Sequence, residues 1–303
     1  MSAKIVITGA NSAVGRAILR VAVQQQEPAV LIAAVRSERA IAEVQPIPPN
    51  QVARIDYEDS SSLKAAFSGA SAVIHLAGTL FERPGSTYDS ANVQTARAVA
   101  DAAAQSGVQK VVLVSAIGAD PGSRNAYWRT KGEAEAAVRA GRCPHTILRV
   151  PLLLGAGTEG TAALQRHVMQ KSVTLPGGGR NQQQPLLVDD LARAALAAST
   201  PSVACNRTLN LVGPISLPER DVLRRSAQLR ARDVRIRALP IGLLRLAIRV
   251  RRQFVGGGFS PDILDVITAD TNIDPQPAAT ELGIHLTGLD DMLNHSLGPV
   301  HSA

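Results

Sequence analysis

Tyr127 and Lys131 stand four residues apart in Asn125–Ala140, an alanine-rich stretch that reads as a helix closed by Gly141. At that spacing both side chains project from one helical face. An ammonium beside a phenol favours the tyrosinate by charge attraction, so Tyr127 could give a proton to a carbonyl oxygen or take one from an alcohol. Ser115, at the end of the apolar run Val111–Ser115, could donate to the same oxygen. Its neighbour Ala116 has no hydroxyl, and Ser123 and Thr130 are weaker substitutes. The competing interpretation is a solvated helix face on which Lys131 pairs with Glu135 and Tyr127 packs its ring.

Such chemistry needs a second reactant, and the N-terminus holds a place for one. Lys4–Thr8 is a strand that ends in a turn, Gly9-Ala10-Asn11-Ser12-Ala13-Val14-Gly15, and opens into a helix reaching Gln24. In that arrangement backbone N–H groups and the helix dipole hold a dinucleotide diphosphate. Ala13 stands where a third glycine is common, and Ser12 could cap the helix or donate to a phosphate. Arg36, after the strand Val30–Val35, suits a ribose 2′-phosphate better than two free hydroxyls, with Ser37 beside it and Glu38 opposing; this favours NADP(H) and keeps NAD(H) possible. Asp56, after Gln51–Ile55, could receive the adenine amino group with Tyr57 beside the ring, or simply cap a loop. Leu76, Ala77 and Gly78 end the strand Ala72–Ala77, where small residues admit a close approach of backbone to cofactor. Val150, at the end of the strand Thr146–Val150, completes the expected cofactor contacts. His75 reads as a core histidine, since no cluster of metal ligands accompanies it.

These elements alternate: helices at Ser61–Phe67 and Asp89–Ser106 punctuate the strands, as in right-handed βαβ units. The expected fold is α/β, a Rossmann-like doubly wound parallel sheet with a smaller C-terminal lobe. Residues 1–154 form mainly the nucleotide domain, and 184–200 return to it through a helix Val188–Ala198 capped by Asp189 or Asp190. Residues 155–183 and 201–303 form mainly the lobe that meets substrate or partner. With 303 residues the chain can bury a large core without a metal or disulfide, and Cys143 and Cys205 lack metal-site spacing.

The net charge of +7 is concentrated between Arg220 and Arg252, which raises a nucleic-acid or membrane-surface reading. Aromatics make up only 3%, too few for a base-stacking platform, and the apolar runs fall short of a membrane span. The stripe within Ile241–Val250 therefore reads as completing the core of the lobe. The first strand begins almost at once, with no secretory pattern before Ile5, so the cytoplasm is the expected location.

The turn and the Tyr127-Trp128-Arg129-Thr130-Lys131 segment together resemble the short-chain dehydrogenase/reductase superfamily, across essentially the whole chain. The resemblance implies a YxxxK pair at Tyr127 and Lys131, a supporting asparagine at Asn92, and a triad serine at Ser115 or at the non-matching Ala116. Leu148-Arg149-Val150-Pro151 and Leu187–Ala192 resemble the atypical or extended members with epimerase/dehydratase-like domains. Leu209–Pro214 and Ala279–Ile284 are similar to the branch that contains the nucleotide-binding accessory subunit of respiratory complex I, where a cofactor can be structural. By this resemblance the C-terminal lobe would close over the nicotinamide, and two copies would pair through the Asn92 and Tyr127 helices.

The function these readings predict is an NADP-preferring oxidoreductase acting on a small or moderately apolar carbonyl or alcohol. The alternatives are a noncatalytic NAD(P)H-binding assembly protein, with a protein partner or homodimer, and a nucleotide-sugar epimerase or dehydratase.

Overall fold

Alternation along the first strand sets the layers: Ile5 and Ile7 enter one core while Val6 enters the other. The computed structural model describes residues 3–44, 51–255 and 259–298. Its strands are β1 (Lys4–Thr8), β2 (Val30–Val35), β3 (Val52–Arg54), β4 (Ala72–His75), β5 (Lys110–Ala116) and β6 (His145–Val150). Four short ones follow, β7 (Leu153–Leu154), β8 (Ser172–Pro176), β9 (Gln182–Gln183) and β10 (Leu186–Leu187), then β11 (Arg207–Asn210), β12 (Leu217–Pro218) and β13 (Arg235–Leu239). Seven of these form one parallel sheet in the order β11-β6-β5-β4-β1-β2-β3. The order reverses between β1 and β4, so the crevice at their carboxyl ends is where ligands of such sheets sit. The chain is thus a Rossmann-like doubly wound α/β protein.

Helices cover both faces. α1 (Ala13–Gln24) fills the first core, and the short α2 (Glu38–Glu43) follows β2. α3 (Ser60–Phe67), α4 (Thr95–Gln105) and α5 (Ala126–Ala140) cover the second core. α6 (Glu159–Val168) belongs to the lobe, and α7 (Val188–Ser199) returns to lie beside α1. The lobe is completed by α8 (Glu219–Gln228), α9 (Ile241–Val255), α10 (Pro261–Thr268) and α12 (Leu289–Leu297), whereas α11 (Gln276–Leu282) adds Ala278 and Leu282 to the first core. Its own core joins Leu164, Val173, Leu223 and Met292, with β8 and β13 paired in parallel. β11, beyond the boundary that composition sets for the lobe, is an edge strand of the main sheet because it finds β6 in register, Leu209 opposite Leu148.

Several local expectations change. The first turn of the helix before Thr95 is π-helical, Asp89–Gln94, a widened geometry that often marks a functional position. α3 starts at Ser60, with Asp59 as its cap accepting from the Ser61 amide. Neither Asp189 nor Asp190 caps α7, whose helical residues start at Val188 without a side-chain cap. Both lie within the first turn and tie elements together instead: Asp189 pairs with Arg20 of α1, and Asp190 with Arg193 and Thr287. Asn125 lies outside α5 as its N-cap, its Oδ1 accepting from the Tyr127 and Trp128 amides.

Candidate functional site

The turn after β1 has no room for larger residues at two positions. Gly9 has φ of +74°, and a Cβ there would lie 3.2 Å from the Ala77 amide nitrogen. At Gly15 a Cβ would lie 2.3 Å from the Ala10 carbonyl oxygen, so the first turn of α1 rests directly on the loop. Ser12 caps α1 by accepting from the Gly15 amide at 3.1 Å. The Ala13 and Val14 amides begin the helix and donate to no other carbonyl among the described residues. Asn11 turns its amide outward to Glu43, at 3.0 Å, and its carbonyl accepts from Arg16. A dinucleotide diphosphate fits here: close-packed glycines bring backbone within reach, and free amides start a twelve-residue helix.

Beyond β2, Arg36 is exposed and has no ion-pair partner among the described residues, whereas Arg39 pairs with Glu43 and Arg54 with Glu38. Ser37 caps α2, accepting from the Ala40 amide. Asp56 is exposed and its carboxylate accepts from the Glu58 amide, the loop-capping arrangement. Tyr57 turns inward: its ring meets His75 edge-on at 6.0 Å, and burial pushes its phenol up to about 12, with Thr8 and Arg36 acting in the opposite sense. The β1–β4 register sets Thr8 beside His75, and Thr8 Oγ1 and His75 Nδ1 are 2.7 Å apart.

His75 is wholly buried, and burial, aided by the Lys131 charge, lowers its pKa from 6.5 to about 3. Between those values the unfolded chain binds a proton that the native state refuses, so native stability falls as pH drops through that window. We expect a denaturation midpoint that declines steeply below pH ~6.5, with a cost of a few kcal/mol toward the lower limit. In His75→Asn the acid limb should be distinctly shallower; an unchanged limb would assign acid sensitivity elsewhere.

α5 brings the remaining groups to the ends of β4 and β5. An open cleft of about 170 Å³ is lined by Leu76, Gly78, Asn92, Ser115, Tyr127, Lys131 and Val150, with Thr79, Leu80 and Val114. Tyr127 is half-buried, its ring edge-on to Tyr88 at 5.9 Å, and its hydroxyl bonds to no other described residue. Burial, and Tyr88 in the same sense, pushes its phenol well above the ordinary value, so it holds its proton. Lys131 Nζ donates to the Val114 carbonyl at 3.0 Å, and burial lowers its pKa to about 8 against the pull of Glu135. Asn92, presented by the π-helical turn, accepts from the Thr79 amide at 3.1 Å and donates to Thr130 at 3.1 Å. A Cβ on Gly78 would come within 2.8 Å of Asn92 Oδ1, so the strand end and the asparagine are in direct contact.

Ser115 has a partner the sequence reading did not assign. Strand parity turns Ser115 toward α5 together with Val111 and Leu113, and the β5–β6 register sets it level with Arg149. Both meet Glu135, which is fully buried. Ser115 Oγ donates to Glu135 at 2.6 Å, Arg149 donates to both carboxylate oxygens at 2.8 and 2.7 Å, and Arg139 adds a bond at 2.7 Å. Those donors hold the Glu135 carboxyl below its ordinary value despite burial. Glu135 therefore braces β5 and β6, while the hydrogen bond of Lys131 goes to backbone. A larger open groove, about 570 Å³, lies at the C-terminal ends of α1 and α7, lined by Gln25, Arg193 and Thr287 and away from Tyr127.

The profile of an NAD(P)H-binding family matches residues 9–182, more than half the chain. The chain is 30% identical over 164 residues to subunit 9 of the NADH dehydrogenase [ubiquinone] 1 alpha subcomplex of Arabidopsis thaliana mitochondria, covering 53% of this chain and 41% of that one. It is 29% identical over 201 residues to the ceramide reductase of Caulobacter vibrioides, covering 64% of this chain and 60% of that one. The chain thus spans less than two thirds of the length of these relatives. Among solved structures, the triphenylmethane reductase of Citrobacter sp. complexed with NADP(H) superposes with a TM-score of 0.74 at 20% identity, covering 97% of this chain and 100% of that one. The UDP-glucuronic acid 4-epimerase of Bacillus cereus in complex with NAD reaches 0.74 at 17% identity, with 96% of each chain covered.

Proposed function

This chain belongs to the NAD(P)H-binding family, and on that premise we propose that it is an NADP(H)-preferring oxidoreductase acting on a small or moderately apolar carbonyl or alcohol. The observation that carries the reading is the Tyr127 hydroxyl, unpartnered among the described residues and in one cleft with Lys131, where burial favours its protonated form. When bound, the dinucleotide supplies the hydride. Tyr127 Oη gives its proton to the substrate oxygen as charge builds there, and the Lys131 ammonium one turn away favours the resulting tyrosinate. Asn92 fixes Thr79 and Thr130 around that end of β4. Leu76, Leu80, Val114 and Val150 give the cleft its apolar lining. The test is consumption of NADPH against a panel of aldehydes and ketones, followed optically.

The preference for NADP(H) rests on the unpaired Arg36 guanidinium, which suits a phosphate dianion. Arg36→Asp should weaken NADPH roughly ten- to hundredfold and leave NADH unchanged or improved, measured by fluorescence titration. Equal loss for both dinucleotides would sink the assignment.

A second reading, binding without turnover, is favoured by Ser115. Its proton is committed to Glu135, and Ala116 has no hydroxyl, so the substrate oxygen lacks the serine donor expected from sequence. Tight NADPH retention with no consumption across the panel would select it.

A further inference from the structure

Among its described side chains, helix α9 is apolar on two sides, and only one of them is packed against other described residues. Ile248 is buried, Ile241 and Leu244 are half-buried, and Arg245 pairs with Asp265 of α10 on that side. Opposite, Leu243 is 61% exposed, Leu246 60% and Val250 47%. With 3.6 residues per turn these three and Ala247 fall in one arc, centred across the helix from Ile248. Arg249 lies on one margin of the arc and Arg251 on the other. Both are exposed, and neither has an ion-pair partner among the described residues. The structure therefore corrects the expectation that this stripe completes the core: the inner residues do so and the outer ones face solvent.

Scattered exposed apolar residues need no explanation, but three in register along one helix do. Arginines on both margins select among the possible covers. Their stems can lie along apolar material while the guanidinium groups reach an anionic layer at one level, the pattern of a helix lying in a bilayer interface. β13, which leads directly into α9, adds exposed Arg235 and Arg237, also without ion-pair partners among the described residues. Positive charge spread along the segment, in a chain of net charge +7, suits a continuous anionic surface better than a single acidic groove. We propose that the outer face of α9 docks this protein on an anionic lipid surface. The docked face is also linked to the cleft: α9 rests on α10, and the Asp262 carbonyl of α10 accepts from Asn125, the N-cap of the helix bearing Tyr127.

The test is co-sedimentation of the full chain with vesicles of phosphatidylcholine alone, or with about one third phosphatidylglycerol. The wild type should bind the mixed vesicles and only weakly the neutral ones. The double variant Leu243→Glu/Leu246→Glu should bind the mixed vesicles at least about tenfold less. Arg249→Gln/Arg251→Gln should bind several-fold less, with a flatter dependence on salt. NADPH affinity should be unchanged in both, which separates this inference from the proposed activity. No association of the wild type with mixed vesicles, or association that survives in both variants, overturns the proposal. So does a wild-type dimer that the leucine variant converts to monomer, because a second copy would then cover the face.

Discussion

Tyr127→Phe is expected to lower NADPH-dependent turnover by about 10²–10⁴-fold, the range associated with removing a positioned general acid, while leaving cofactor affinity within about twofold. The substitution deletes one oxygen that bonds to no other described residue, and the ring keeps its edge-on contact with Tyr88. Structural collateral should therefore be small. The pH profile supplies an independent readout: Lys131 loses its proton through about pH 8, so turnover should decline above that point as the charge that favours tyrosinate is lost. Lys131→Arg should move the declining limb upward, since a guanidinium stays charged. Full activity in Tyr127→Phe would remove this residue from the chemistry, whatever the cofactor does.

Gly15→Ala should weaken dinucleotide binding by about 10²-fold or more and lower stability by about 1–3 kcal/mol. The added methyl would stand 2.3 Å from the Ala10 carbonyl oxygen and 2.5 Å from the Ala10 Cα, atoms that cannot rotate away. α1 must then lift off the turn, displacing the Ala13 and Val14 amides from the crevice. Ser12→Ala provides the contrast, because it removes only a cap, about 1 kcal/mol, and leaves the backbone path open. Calorimetry on both variants separates the two effects, and equal NADPH affinity in wild type and Gly15→Ala would mean that the ligand does not sit at this turn.

What could be read from sequence was local. The turn after β1 and the Tyr127–Lys131 helix each lie within about a dozen residues, where glycine placement and helical spacing determine geometry directly. Glu135 escaped because its partners come from different strands. Four residues after Lys131 it reads as a lysine partner on an exposed face, and only the β5–β6 register turns Ser115 and Arg149 toward it. The ring contact of Tyr57 was hidden for a similar reason: its partner His75 lies on β4, set beside Thr8 only by the strand register. Asp189 and Asp190 have the composition of a cap, but Arg20 and Thr287 claim them from distant segments. In α9 the period was visible, yet an apolar residue in sequence does not say which side has a neighbour.

The brace at Glu135 has a mechanical corollary. One carboxylate couples Arg139 on its own helix to Ser115 and Arg149 on adjacent strands, so the latter half of α5 is fastened to the sheet as a single rigid piece. The helix that carries Tyr127 and Lys131 is thereby anchored, one turn beyond Lys131, to two strands at once.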